Sequence, residues 1–111
     1  RLHADGAQSA SVAGASAFFP SVRNPYNGRV SDLSNRLSAC VMNGYTAATG
    51  IRRRTVSTRD DLSGTNWSQI PVTLLELGFM TNPTEDVNMS NPDFQNQMVR
   101  GIADGLDAYF Q

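Results

Sequence analysis

Lysine is absent from these 111 residues; all nine basic side chains are arginine. That excludes chemistry built on a lysine nucleophile or a phosphate-loop lysine. Cysteine occurs once, so no disulfide can form within the chain and the redox compartment stays open. Cys40 falls on the apolar face of a helical pattern and reads as a small buried hydrophobe; the sharper alternative is a disulfide to a segment outside this chain. Charge is nearly balanced at −1, which gives no electrostatic case for nucleic acid or an anionic membrane surface. No apolar run approaches the ~20 residues of a membrane span. What remains, 40% apolar and 17% charged, suits one soluble domain with one modest core.

The most informative stretch is Pro71-Val72-Thr73-Leu74-Leu75-Glu76-Leu77-Gly78-Phe79-Met80-Thr81-Asn82-Pro83. Val72 to Leu75 has the length and content of a strand buried on both faces, as in a parallel sheet. An unpaired carboxylate inside such a strand is costly, so Glu76 is expected where the strand leaves the sheet. Ligands of open α/β sheets bind at that rim. Gly78 permits a turn or a close backbone approach. Asn82, Pro83 and Glu85 read as N-cap, first helical residue and capping-box partner.

Two helices are predicted. Ser31 to Thr49 carries a stripe of Leu33, Leu37, Cys40, Val41 and Tyr45, with Ser31 as N-cap and Gly50 as the stop. Asn91 to Gln111 has Phe94, Met98, Ile102, Leu106 and Phe110 at four-residue spacing, and Gly101 and Gly105 are expected to let it sit close against the sheet. Ala17-Phe18-Phe19 is a short strand stopped by Pro20. Arg52 to Leu62 reads as a solvated loop, with an arginine clamp on a carboxylate as the sharper alternative. Trp67 lies in a loop and is expected to pack beneath it, stacking on a sugar face being the other option. Asp5 is expected to form a turn rather than bind metal.

The first residues, Arg1-Leu2-His3, look like the tail of a strand cut in the middle. His3 and Glu76 each end a short apolar segment ahead of a glycine, so neighbouring parallel strands would bring them to one sheet edge. Metal-assisted hydrolysis needs that geometry: an ion with an open position for water, beside a carboxylate that moves the proton.

The segment Leu75 to Pro83 followed by Glu85-Asp86, together with Leu2-His3-Ala4-Asp5-Gly6, resembles the zinc-dependent N-acetylmuramoyl-L-alanine amidases of the type-3 cell-wall family. Both motifs stand in family order, while the middle of the chain matches only loosely. The resemblance implies an α/β domain with helices packed on a mainly parallel sheet. It also implies that residues 1–111 are the C-terminal portion of a single catalytic domain whose N-terminal part is missing here. It assigns His3 as a zinc ligand and Glu76 as the catalytic acid–base. The remaining ligands, a histidine and a glutamate, would come from an upstream segment, so this piece alone is expected to be inactive. The implied substrate is peptidoglycan, at the amide joining N-acetylmuramic acid to L-alanine, and the implied location is the cell envelope, periplasmic or secreted. The alternatives are a non-catalytic cell-wall binding or amidase-regulating module of the same fold, and a related zinc peptidase.

Overall fold

The computed structural model describes residues 1–111. Its elements in chain order are β1 (Leu2–Asp5), β2 (Ala15–Phe19), α1 (Ser31–Thr49), β3 (Arg53–Thr58), α2 (Ser63–Asn66), β4 (Leu74–Phe79), α3 (Pro83–Ser90) and α4 (Pro92–Tyr109). The four strands form one sheet in the order β1-β4-β2-β3. β1 runs parallel to β4 and β2 parallel to β3, while β2 and β4 meet antiparallel. The expected α/β architecture, with helices on a mainly parallel sheet, is therefore present. No helix is long and apolar enough to cross a membrane.

β4 is central, and alternation divides its residues between two faces. Leu75 is fully buried and joins Ala15, Ala17, Leu37, Val41, Met42, Tyr45, Met98 and Tyr109 in the core under α1 and α4. Glu76 consequently points from the opposite face. The strand starts later than the sequence suggests. The Val72 N–H is donated to Ser34 Oγ at 2.9 Å, and Ser38 Oγ donates to Thr73 Oγ1 at 2.7 Å, so both residues are tied to α1, while Thr73 O also accepts the Arg1 amine at 3.1 Å.

These serines also reset the buried face of α1. It runs through Ser31, Ser34, Leu37, Ser38, Val41, Met42 and Tyr45, while Leu33 is half exposed. Hydropathy credits leucine and ignores serine; the structure buries Ser34 and Ser38 because each bonds the 71–73 segment. Ser31 is not the cap: a 3-10 turn at Gly28–Val30 leads straight into α1, which puts Val30 in the cap position. Gly50 ends the helix as expected, at φ 73° with its N–H on Thr46 O at 2.9 Å.

The glycines of α4 face α1, not the sheet. A Cβ on Gly44 would stand 2.3 Å from Gly101 O, and one on Gly105 would stand 2.6 Å from Cys40 O. The two helix backbones touch through these three residues, and α4 is turned accordingly. Its buried line is Met98, Gly101, Gly105 and Tyr109, leaving Leu106 and Phe110 exposed.

Two loop expectations are also corrected. Arg53–Thr58 is the edge strand β3 rather than a solvated loop; Thr55 and Val56 are β-branched, and the strand's outer edge and much of its side-chain surface are exposed to water. Trp67 does not pack under its loop but is 83% exposed.

Candidate active site

The parallel pairing of β1 with β4 sets His3 directly opposite Glu76. Cross-strand partners project to one face, with strands about 5 Å apart. The juxtaposition expected for these two residues is thus present, although not quite where the sequence placed it. Glu76 lies within β4, not at its end, and is flanked by His3 on one side and Ser16 of β2 on the other. A strand interior tolerates this carboxylate because neither α1 nor α4 covers its face.

Toleration is incomplete. Glu76 Oε2 is buried and has no hydrogen-bond partner. Burial raises the Glu76 carboxyl above the usual range, and the Asp5 carboxylate adds to the rise; His3 and Arg59 oppose it more weakly. A buried carboxylate oxygen without a donor holds a proton more readily than a solvated one. That is the property wanted in a group that takes a proton and gives it back. His3 is exposed on the edge strand. Beside it the β1–β4 register slips by one residue between His3 and Asp5, an irregularity that re-aims side chains. Asp5 Oδ1 accepts the Gly6 N–H at 2.8 Å, so Asp5 makes the local turn contact expected of it, one residue on.

Arg59 is the arginine placed near Glu76. Its guanidinium lies 5.3 Å from the ring centroid of Phe18, which shares the face of Ser16, and it forms a two-point ion pair with Asp61 at 2.9 and 2.7 Å. Asp60 is engaged elsewhere. It accepts Ser21 N–H at 2.9 Å, Ser21 Oγ–H at 2.6 Å and Asn24 Nδ2 at 2.8 Å, and these bonds hold its carboxyl below the usual range.

Sequence reasoning missed the main role of Glu85. Asn82 caps α3 as expected, accepting Glu85 N–H at 3.1 Å. The Glu85 carboxylate, however, does not reach back to Asn82. It is buried and accepts the Gly14 N–H at 3.1 and 3.0 Å and the Phe79 N–H at 2.9 Å. It thereby clamps the end of β4, three residues past Glu76, to the entry of β2. Gly78 makes room: a Cβ there would press Glu85 Oε1 at 3.2 Å. Gly14 is needed too, at φ 116° and with Arg52 O 2.7 Å from any Cβ. The capping-box spacing was the one signal pointing at Glu85, and it pointed at the wrong acceptor geometry.

A catalytic zinc is held by three protein ligands. No group of three or more His, Cys, Asp or Glu side chains converges among these residues. His3 offers one accessible donor, and the orphaned Glu76 oxygen lies on the same face. These 111 residues therefore fit one part of such a site and do not complete it.

The arrangement of helices on this mixed sheet is shared with solved cell-wall amidases. The CwlD amidase of Clostridioides difficile, solved with the GerS lipoprotein, superposes with a TM-score of 0.85 at 24% identity, covering 98% of this chain and 52% of that one. The Ami1 amidase of Mycobacterium smegmatis gives 0.83 at 23% identity, over 97% of this chain and 51% of that one. A Bacillus subtilis (strain 168) protein of unassigned function, YqiI, is 29% identical over 101 residues, which is 91% of this chain and 46% of YqiI. The N-acetylmuramoyl-L-alanine amidase family model matches residues 1–108, and the chain belongs to that family. It spans about half the length of these relatives.

Proposed function

We propose that the protein hydrolyses the amide between N-acetylmuramic acid and L-alanine in peptidoglycan, and that Glu76 is its acid–base group. One observation carries this reading: Glu76 sits opposite His3 on the sheet face turned away from α1 and α4, with a buried oxygen that nothing in the chain satisfies. Family membership over residues 1–108 supports the reaction class. His3 would be one ligand of a zinc ion, with the others drawn from outside these residues. When bound, such an ion supplies Lewis acidity toward the scissile carbonyl and toward water.

The chain's own contribution is proton handling. Glu76, with its carboxyl raised by burial, takes the proton of the attacking water and returns it to the departing alanine nitrogen. Ser16 and His3 fix the width of the slot in which it works, because both are its register partners. The Glu85 clamp keeps the end of β4 in place while the proton moves. A cell-envelope location, periplasmic or secreted, follows from the substrate.

His3→Ala in the full-length protein tests the ligand assignment. Zinc content measured by elemental analysis is expected to fall well below one equivalent, together with loss of muramoyl-peptide hydrolysis. Full zinc occupancy in that variant would remove His3 from the site.

A further inference from the structure

A cleft lies between the loop that follows β2 and the segment of α2. It encloses about 450 Å³ and is lined by Tyr26, Ser63, Asn66, Trp67 and Gln69. Trp67 and Tyr26 are 83% and 68% exposed. The backbone that presents them is firmly held. Asn27 Nδ2 donates to Thr65 O at 2.8 Å and to Ser68 O at 2.9 Å, and Asn24 Nδ2 donates to Asn66 Oδ1 at 2.8 Å. Asn66 Nδ2 in turn reaches Asp60 O at 2.8 Å, and Thr65 is fully buried. Two open aromatic rings thus stand on a preorganised base, which lowers the ordering cost of any ligand they receive.

The lining indicates which ligand. Its five lining residues carry no formal charge, and the guanidinium bordering them at Gln69, that of Arg29, is engaged by Gln69 O and Oε1. Gln69 Oε1 is occupied by Arg29, which leaves the Gln69 amide NH2 as a donor. The Trp67 indole N–H and the Tyr26 and Ser63 hydroxyls add further hydrogen-bonding capacity. Aromatic faces bordered by neutral donors match a pyranose ring, which presents an apolar C–H face and a rim of hydroxyl and acetamido groups.

The cleft also has the right neighbour. Gly64 of α2 abuts the Arg1 guanidinium so closely that a Cβ would meet Arg1 Nε at 2.3 Å. Arg1 is two residues from His3, about 7 Å along β1. The helix that borders this cleft therefore touches the residue that leads into the His3 strand.

We propose that this cleft is a glycan subsite holding an N-acetylated hexopyranose, with Trp67 and Tyr26 against the sugar ring and Gln69 and Ser63 on its polar rim. Resting on the amidase reading, it would hold the sugar strand against α2, whose Gly64 abuts the residue ahead of the His3 strand.

The test is a binding titration in the full-length protein carrying Glu76→Gln, with the uncharged N-acetylglucosamine tetramer as probe. The Trp67 indole N–H resonance is expected to shift saturably in the Glu76→Gln parent, and isothermal titration calorimetry with the same tetramer gives the affinity of the parent and of each variant. Affinity should fall at least tenfold in Trp67→Ala and in Tyr26→Ala, and stay within about threefold in Trp67→Phe. A charged alanyl-glutamyl peptide should leave the resonance unmoved. Both rings are exposed, so a circular dichroism melt of each variant checks that the fold is intact. No saturable shift with the tetramer, undiminished binding in both alanine variants, or a response to the peptide alone would overturn the assignment. The probe has no scissile amide, so the outcome is independent of whether Glu76 is the acid–base group.

Discussion

Replacing Glu85 should do more damage than its position on a short helix suggests. Its carboxylate is the acceptor for two backbone donors, Gly14 N–H and Phe79 N–H. Glu85→Ala leaves both without a partner in a site where Glu85 itself is only 8% exposed. Each orphaned buried N–H costs about 1–3 kcal/mol, so the pair costs roughly 2–6 kcal/mol. Set against a typical domain stability of about 5–15 kcal/mol, that brings the fold close to its limit. Glu85→Gln keeps one acceptor oxygen and should cost about half as much. Urea denaturation followed by circular dichroism measures both. At an m-value of about 2 kcal/mol/M, the Ala variant's midpoint falls by about 1–3 M. Amide exchange localises the effect: Gly14 and Phe79 should lose protection in Glu85→Gln well before the middle of α1 does. A loss under about 0.5 kcal/mol in Glu85→Ala, with Phe79 still protected, would refute the clamp.

Two further outcomes follow from packing and charge. Gly44→Ala gains about 1 kcal/mol of helix propensity but drives a methyl to 2.3 Å from Gly101 O; overpacking of backbone on backbone costs about 1–3 kcal/mol or more, so a lowered melting temperature is expected, and a raised one would mean the helices are not in contact there. Glu76→Gln should change stability with pH in a defined sense. The folded-state carboxyl is raised, so the wild-type folded state binds its proton more tightly than the unfolded chain. Its stabilising contribution is complete below the ordinary carboxylate range and is lost as pH rises through the raised value. The Gln variant should therefore gain stability relative to wild type between about pH 4 and pH 7 in paired denaturation curves, and a constant difference across that range would contradict the desolvation of Glu76.

Much of this was legible in the chain. The apolar run up to Glu76 and the strand fragment around His3 gave two segments whose parallel pairing brings the residues together, and the paired register bears that out. Cap chemistry at Asn82 and Asn91 and the stop at Gly50 were local, and local signals survive folding. What was misread depended on partners distant in sequence. Leu33 and Phe110 have the right spacing but the wrong side, because Ser34, Ser38, Gly101 and Gly105 let backbones approach more closely than leucines do. β3 was hidden by its arginines, which an edge strand carries on exposed surface. Glu85 advertised a cap and delivered a tertiary clamp, since its acceptors' partners lie 71 and 6 residues away.

Glu76 is the residue on which the proposed hydrolysis turns. Turnover of a muramoyl-L-alanyl substrate by the full-length Glu76→Gln protein, with metal content measured on the same sample, is the direct test. Loss of general acid–base help should lower kcat by about 10²–10⁴-fold while metal content stays at the wild-type level. A variant that keeps its metal and turns over within about tenfold of wild type would show that the proton travels through another group.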